Sequence, residues 1–390
     1  MKFLKILIAS LLFAHPVFSQ NASLDSFSTI DKIALEIPKS MTQSTDLIAK
    51  YINSNFKTTS EKTRAAFIWT ASNVAYDTNY IFDTSENRED KIQRALKTRA
   101  GICENYAALF TEICNKLDIK SHVIEGYTKQ NSVVSLQSHA WSACQIDEDW
   151  FLFDPTWGAG YVENGKFVPK VNNKYFRQNP ENSIKSHMPF DYLWQFSKNP
   201  LNNNDFYAGN NKSSANRKEF DFNRALLVHE AQDYLGRLTS TAARVQENGL
   251  VNDLIKKQYS YLEKAIDNVH QNKVIALYNA AAAHYNQALK NYNDFVDFRN
   301  RSSNKSTAQN SMKTMVAKAE VDIINASKIL KSMPPANART TNAVNRLRKS
   351  VSSVNNDVQM QKQWLRNYSS SNKYKASASF NKRTASSSYN

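Results

Sequence analysis

"TRAGICENYAALF", residues 98–110, is the stretch from which the interpretation of this chain starts. It places Cys103 two residues after Gly101, and the apolar residues that follow recur with helical spacing, which predicts a helix from about Ile102 to Leu117. A helix N-terminus carries about half a positive charge and unpaired N–H groups, and both stabilise a thiolate. Cys103 is therefore either a buried structural cysteine or a nucleophile.

The first twenty residues predict an exported protein. Lys2 and Lys5 precede a short apolar run, so residues 1–19 are predicted to be a cleavable signal peptide. No later stretch reaches the roughly 18 apolar residues of a membrane span, so no transmembrane segment is expected in the mature chain. We expect a protein that is secreted, periplasmic or located at the cell surface.

The cysteine count argues against a fold held together by disulfides. Only Cys103, Cys114 and Cys144 occur, whereas a secreted disulfide scaffold usually has more cysteines, in an even number. At least one thiol must therefore stay unpaired. Cys114 and Cys144 are predicted to be core residues, and a bridge between these two is left open.

The hydrophobic periodicity divides the chain into a mixed part and a helical part. Helical patterns precede three aromatic and β-branched runs at 121–128, 139–146 and 150–157, which predict an antiparallel sheet in an α+β domain. An all-α helical region follows, for which a bundle is favoured over a solenoid because no repeat period stands out. The predicted segments are a lead-in at 20–44, the α+β domain at 45–201, a linker at 202–218, the helical region at 219–368 and a disordered basic tail at 369–390.

Several common catalytic and cofactor motifs are missing. There is no glycine-rich phosphate loop and no G-x-S-x-G elbow. "VHEAQD" (228–233) begins like a zinc-protease helix, but Asp233 occupies the place of the second histidine. No cofactor and no metal site is predicted.

Cys103, His139 and Asp154 together have the composition of a nucleophilic site. An acyl-transferring cysteine needs an activated thiol, an imidazole that exchanges protons with it, and a group that orients the imidazole. Taken singly, the cysteine is more often a small buried residue, and the histidine and aspartate are ordinary strand residues. Their order on helix, strand and strand favours catalysis, and His122, on a strand edge, is a weaker rival histidine.

The register of the predicted hairpin tests this hypothesis. If Asp147 and Glu148 form a two-residue turn, Asp154 lies opposite Trp141 and diagonal to His139. Diagonal neighbours are about 7–8 Å apart, within reach of these side chains. A three-residue turn would place Asp154 on the opposite face of the sheet, and the triad could not form.

Three ordered motifs resemble the transglutaminase-like superfamily, in particular its bacterial and kyphoscoliosis-peptidase-like branch. They are "TRAAFIWTASNVAYD", "RAGICENYAALF" and "SHAWSACQIDEDWFLFDPTWGAG", and the resemblance covers about residues 45–200. It implies a papain-like α+β fold with a Cys-His-Asp triad at Cys103, His139 and Asp154. It also suggests residues that line the site, namely Gly101, Tyr106, Trp141 and, as a candidate additional oxyanion donor, Trp69.

The expected activity is that of a cysteine peptidase or amidase acting on a peptide or protein substrate. Hydrolysis is preferred because water is always present and no amine-binding site is evident. The runner-up is a protein-glutamine transamidase that forms cross-links. A third interpretation is a non-catalytic scaffold in which the helical region carries the function.

Almost the whole net charge of +15 lies in the last quarter of the chain, where residues 299–390 contain 17 basic and 3 acidic residues. This segment is interpreted as a solvated helical face with a basic tail, or as a surface attracted to acidic glycans, cell-wall polymers or lipid head groups. Nucleic acid ranks last as a partner, because export removes the usual targets and no binding motif accompanies the charge.

Overall fold

The computed structural model describes residues 27–81, 86–210, 219–301 and 308–370. The predicted signal peptide, residues 211–218 of the predicted linker and residues 371–390 of the predicted tail lie outside these ranges. Within the described ranges, no helix combines the length and the apolar character needed to cross a bilayer. The contacts define two compact units, the first ending at Gln232 but including Ser240–Tyr259, and the second formed by Asp233–Thr239 and the residues from Ser260 onward.

Helices come before the main sheet in the first unit, as the periodicity predicts. They are α1 (Ser28–Leu35), α2 (Thr45–Asn55), α3 (Thr59–Asn73), α4 (Arg88–Thr98) and α5 (Cys103–Lys116). α3 starts with a capping box between Thr58 and Glu61, and its residues 63–71 are buried on every side. α3 is therefore the central helix: α1, α2 and α5 pack against it, and α4 packs against α5.

α1 lies in the segment that the sequence analysis treats as a lead-in, yet it is bonded to this central helix. The Arg64 guanidinium of α3 donates to both carboxylate oxygens of Asp31 on α1, at 2.7 and 2.6 Å. A third bond runs from Arg64 to Asn173 Oδ1 at 2.8 Å, and the guanidinium lies 4.6 and 4.9 Å from the rings of Phe27 and Phe176. The Arg64 side chain is 1% exposed, so its charge depends on this pairing.

The main sheet contains four antiparallel strands in the order β5-β4-β3-β8. Their bounds are β3 (Ser121–Gln130), β4 (Val133–Ile146), β5 (Asp149–Phe153) and β8 (His187–Pro189). Two-residue turns at Asn131-Ser132 and Asp147-Glu148 join β3 to β4 and β4 to β5, and all four turn residues have positive φ. Ile146 thus pairs with Asp149, which is the register that the predicted triad requires.

The two faces of this sheet are covered by different parts of the chain. Cys144, Ile146 and Phe153 belong to the core formed with the helices that precede the sheet. Ile124, Trp141 and Ala143 face a smaller core built by residues near Leu193 and Leu226. Alternation along β4 therefore separates the two cores, as a strand covered on both faces requires.

Short elements complete the first unit. Between β5 and β8 lie β6 (Gly160–Glu163), β7 (Lys166–Pro169) and the helices α6 (Pro155–Ala159) and α7 (Pro180–Ser183); β1 (Ala75–Tyr76) pairs with β2 (Ala100–Gly101) earlier in the chain. The unit continues past residue 201, where the sequence analysis ends the domain, into α8 (Asn203–Ala208), α9 (Phe222–Ala231) and part of α10 (Tyr234–Glu247). The continuation is bonded to the domain, because Arg244 donates to both oxygens of the buried Asp191 at 2.7 Å.

The second unit is a helical bundle, in agreement with the predicted all-α region. Its main helices are α11 (Asp253–Arg301), which belongs to this unit from Ser260 onward, α12 (Gln309–Lys331) and α13 (Ala338–Ser370). On α12 the buried residues recur at alternating spacings of four and three: Met312, Val316, Ala319, Ile323, Ala326 and Leu330. α13 continues the same pattern, which is the period of coiled-coil packing, and its buried Gln361 accepts a bond from Arg299 at 3.1 Å.

Helix boundaries in this region differ from the predicted ones at two places. The pattern at 225–245 predicts one helix, but the chain breaks at Gln232 because the Asp233 side chain accepts a bond from the Gly236 N–H at 2.7 Å and caps α10. Conversely, the two patterns at 254–272 and 274–298 form one helix of 49 residues. No proline or glycine interrupts that segment, so nothing in its backbone ends the helix.

The basic residues of the bundle lie mainly on its surface. Of its few acids, Glu320 pairs with Lys362 at 2.6 Å and Asp322 with His284 at 3.2 Å. The exposed basic side chains of α12 and α13 include Lys313, Lys318, Lys328, Lys331, Arg346 and Lys349. Attraction to an anionic surface stays a prediction.

Replacing Asp31 by alanine should lower the free energy of unfolding by about 3 kcal/mol, because it leaves the Arg64 charge buried without its partner. The matched control is Glu36→Ala, which removes an exposed carboxylate at the end of the same helix and should change stability by less than about 0.5 kcal/mol. Urea unfolding followed by circular dichroism measures both. A cost below about 1 kcal/mol for Asp31→Ala would mean that α1 is not part of the folding unit.

Candidate active site

Cys103 is the first residue of α5 and follows β2, which pairs in parallel with β1. Gly101 pairs with Tyr76, and the Ile102 N–H that follows donates to Asn105 Oδ1 at 2.9 Å. A Cβ on Gly101 would lie 2.6 Å from the Cβ of Asn105, so only glycine permits this close turn. Within the described part of the chain the N–H of Cys103 has no acceptor, as expected at a helix start.

Asp154 is the residue on which the site converges. One of its oxygens accepts the N–H groups of Thr156 and Trp157, both at 3.0 Å, which makes it the N-cap of α6, and Pro155 follows at the first helical position. The other oxygen accepts Nε2 of His139 at 2.8 Å and Nε2 of His187 at 3.1 Å. Burial would raise the pKa of Asp154, but the two histidines bring it well below its ordinary value, so it stays ionised.

His139 lies between Asp154 and the thiol. Its Nε2 is bonded to Asp154. Cys103 lies close enough to the same ring to raise the pKa of His139, and Nδ1 is the ring nitrogen that the Asp154 bond leaves open toward it. Trp157 and Trp141 stack on the ring with centroids 5.2 and 6.1 Å away. Burial disfavours the imidazolium, but Asp154 and Cys103 outweigh it and raise the pKa of His139 to about 10.

His187 is part of the site and was missed in the sequence. It pairs with Thr128 in the sheet, is 2% exposed, and its Nδ1 accepts the Ser186 hydroxyl at 2.9 Å, which leaves Nε2–H to donate to Asp154. Burial lowers the pKa of His187 more than Asp154 raises it, so the ring is neutral near pH 7. No motif surrounds this residue, and the only signal was a histidine on a short run that ends in proline.

Gly126 makes the approach of these elements possible. It pairs with His139 on one side and with Pro189 on the other. A Cβ at this position would lie 2.6 Å from the Trp141 ring and would also overlap the Met188 carbonyl oxygen. Only a residue without a side chain lets β8, and with it His187, come close to Asp154.

The other residues singled out in the sequence lie outside this network. Trp69 and Tyr106 are buried in the main core, where the Arg99 guanidinium lies over the Trp69 ring and the Tyr106 hydroxyl donates to the Val74 carbonyl. Neither residue lines the cleft at His139, although Tyr106 lies close enough to Tyr76 and Asp154 to interact with both electrostatically, so their predicted place around the site stays a prediction. Packing explains this: both side chains lie on helix faces turned toward the core.

The remaining cysteines and the rival histidine also lie elsewhere. All three cysteines are free thiols, and Cys114 and Cys144 are fully buried in the main core, as predicted. His122 packs between Trp150 and Trp194 and bonds to Glu230 at 3.1 Å. Its surroundings are those of a structural histidine.

His139, Asp154 and His187 form the one group in the described ranges with the composition of a metal site, and their ligand atoms lie within 4.8 Å of one another. Both imidazoles, however, already bond directly to a single carboxylate oxygen. A cation between them would require the three side chains to separate and both bonds to be lost. The donor set therefore fits a hydrogen-bonded network better than a metal centre.

A cleft of about 700 Å³ opens beside His139. Tyr76, which sequence reasoning also missed, is one of the residues that line it. Burial and the nearby Cys103 raise the pKa of the Tyr76 hydroxyl, so it remains a proton donor near neutral pH. The other lining residues come from β3, from α6 to β7 and from the segment after β7: Gln130, Thr156, Trp157, Gly160, Tyr161, Val162, Phe167, Lys170, Val171, Asn172 and Tyr175.

Comparisons with known proteins identify the family of the α+β part. Residues 46–155 match the family model of the transglutaminase-like superfamily. The kyphoscoliosis peptidase of Mus musculus is 30% identical over 193 residues, covering 47% of this chain and 28% of that protein. The Homo sapiens protein of the same name is 26% identical over 235 residues, covering 58% of this chain and 34% of that protein, so the chain spans only about a third of these relatives.

A solved structure, the periplasmic domain of TgpA from Pseudomonas aeruginosa, is 19% identical, with a TM-score of 0.25, and the match covers 33% of this chain and 47% of that one. The family match ends just after Asp154 and contains Cys103 and His139. The α+β part of this chain therefore carries a domain of the transglutaminase-like superfamily.

Proposed function

We propose that the protein is a cysteine-dependent acyl-transfer enzyme that hydrolyses a peptide or carboxamide bond. The observation that carries the proposal is a half-buried thiol at a helix start, within reach of an imidazole whose other nitrogen is bonded to a buried carboxylate. Export through residues 1–19 stays a prediction. The name peptidase, carried by the two mammalian relatives, supports hydrolysis.

The chemistry starts from a thiolate–imidazolium pair. The Cys103 thiolate attacks the carbonyl carbon and forms a C–S bond, while the carbonyl electrons become an oxyanion. When this intermediate collapses, the leaving nitrogen takes the proton from His139, and a thioester remains on Cys103. Neutral His139 then removes a proton from water, the hydroxide attacks the thioester, and the carboxylic acid leaves as the ion pair is restored.

Two donors are suited to stabilise the oxyanion. The Cys103 N–H points from the start of α5 and has no acceptor among the described residues. The Tyr76 hydroxyl lies close enough to Cys103 for the two to interact electrostatically. We assign Tyr76, rather than Trp69, as the side-chain donor, because Trp69 is 1% exposed and packs in the core.

Hydrolysis and transamidation share every step up to the thioester. They differ only in whether water or an amine attacks it, and among the described residues no carboxylate lines the cleft to bind an amine cation. This favours water as the acceptor. The scaffold alternative has no comparable support, because a binding module has no need for an ionised carboxylate held by four hydrogen bonds behind an imidazole.

Incubation with N,N-dimethylcasein should create new α-amino groups detectable with fluorescamine, and should incorporate little dansylcadaverine. Cys103→Ser should abolish both signals, and Tyr76→Phe should lower the cleavage rate by about 100-fold through loss of an oxyanion donor. Because alkylation of the thiol forms no oxyanion, the iodoacetamide rate of Tyr76→Phe separates this loss from damage to Cys103. If dansylcadaverine incorporation exceeds cleavage, transamidation becomes the preferred activity and hydrolysis the alternative.

Iodoacetamide should alkylate Cys103 rapidly at pH 6, where a free thiol of pKa about 8.5 is only ~0.3% ionised. The pKa of His139 is raised to about 10, so the imidazolium is present below that pH and is lost above it. His139→Ala should therefore slow alkylation most at low pH, and the two rates should converge above about pH 10. Equal rates at pH 6 would contradict the activated pair and favour the scaffold.

His187 is proposed as a positioning residue that acts through Asp154. Its bond lowers the pKa of Asp154, so in His187→Leu that pKa should rise and the acid limb of the activity profile should move to higher pH. We expect kcat to fall about tenfold, with partial recovery in His187→Gln, which keeps a donor. A lower kcat with an unmoved acid limb would assign His187 a purely structural role.

A further inference from the structure

Exposed apolar residues line the cleft beside His139. Tyr161, Val162 and Val171 are lining residues with 47%, 47% and 42% of their surface exposed. Single exposed apolar side chains are ordinary, but three around one concave site are typical of a surface that a ligand covers. The aromatic residues Trp157 and Tyr175 line the same cleft.

The charged side chains that line the cleft among the described residues are all positive. Lys170 is the only lining residue with a full charge apart from His139, and neither aspartate nor glutamate lines the cleft among the described residues. Lys170 is exposed and makes no ion pair or side-chain hydrogen bond within the described ranges. A carboxylate on a ligand would therefore find an unpaired cation here.

The cleft also contains an unsatisfied polar group. The Thr156 hydroxyl oxygen is buried and has no hydrogen-bond partner in the described part of the chain, and Thr156 is one of the residues that line the cleft. Buried polar atoms are rarely left unbonded, because their desolvation is then uncompensated. A small rotation of this side chain would let it bond to a peptide amide in the cleft, and the lining residues Gln130 and Asn172 offer further amide groups.

We propose that this cleft binds the peptide substrate through an aromatic or large aliphatic side chain packed against β6 and a carboxylate bound by Lys170. The peptide continues to the reacting carbonyl, because His139 and Tyr76 line the same cleft. The substrate class is thus an acidic peptide with a bulky apolar residue beside the acid. The identity of the cleaved bond rests on the proposed function, whereas binding of the peptide in the cleft does not.

Four alkylating probes that share the same iodoacetyl group test the preference for a carboxylate and the preference for a bulky apolar side chain. They are N-iodoacetyl derivatives of phenylalanine, phenylalaninamide, glycine and glycinamide, and the measured quantity is the alkylation rate at Cys103 divided by the iodoacetamide rate of the same variant. The free carboxylate should raise this ratio about three- to fivefold at low salt, and the phenyl ring about tenfold. Cys114 and Cys144 are fully buried, and peptide mass spectrometry confirms the modified residue.

Lys170→Ala should remove the carboxylate preference, while Lys170→Arg should retain most of it. The matched control is Lys166→Ala, an exposed lysine on β7 that does not line the cleft, and it should leave the preference unchanged. Tyr161→Ala should reduce the phenyl preference. Wild-type ratios near one, or a loss as large in Lys166→Ala as in Lys170→Ala, would overturn the proposal.

The result is separable from the catalytic proposal. If the iodoacetamide rate is the same in wild type and His139→Ala, but the rate ratios of the four probes change in Lys170→Ala and Tyr161→Ala, the cleft binds such peptides and the enzyme proposal fails. If His139 controls alkylation and casein is cleaved but the ratios stay near one, the enzyme proposal holds and the specificity proposal fails.

Discussion

The carboxylate of Asp154 is the constraint around which the domain is organised. Its two oxygens accept four hydrogen bonds, two from the backbone of α6 and two from imidazoles on different strands. A buried charge of this kind is tolerated only when its bonds are all made, so the carboxylate couples the end of β5, the start of α6, β4 and β8. The orientation of His139 toward Cys103 is a consequence of that requirement.

The same requirement links stability to chemistry. The ionised carboxylate raises the pKa of His139, so the ring beside the start of α5 is protonated near neutral pH. His187 takes the opposite role: burial keeps it neutral, so it donates a bond without adding a charge. Two histidines on one carboxylate thus differ in charge: Asp154 and Cys103 raise the pKa of His139 against burial, whereas burial and the neighbouring His139 lower the pKa of His187.

Local sequence was sufficient for much of this arrangement. The Asp147-Glu148 turn needs no long-range information, since two residues with positive φ join strands whose alternation is visible, and it places Asp154 on the face of His139. Likewise the glycine before Cys103 and the proline after Asp154 mark the starts of α5 and α6. Apolar spacing also predicts the helices of the second unit, but not all of their boundaries. A cap at Asp233 starts a new helix inside one apolar pattern, whereas the helix continues through Lys273 because no proline or glycine interrupts it.

What the sequence determined by itself was the order of cysteine, histidine and aspartate on a helix and two strands, because hydrophobic period and turn residues are local. What only the tertiary structure decided was which distant side chains join them. Tyr76 reaches Cys103 through the pairing of β1 with β2, and His187 reaches Asp154 through the pairing of β8 with β3. Such contacts depend on backbone bonds between segments far apart in the chain, and those bonds leave no periodic signal at the residues they bring together.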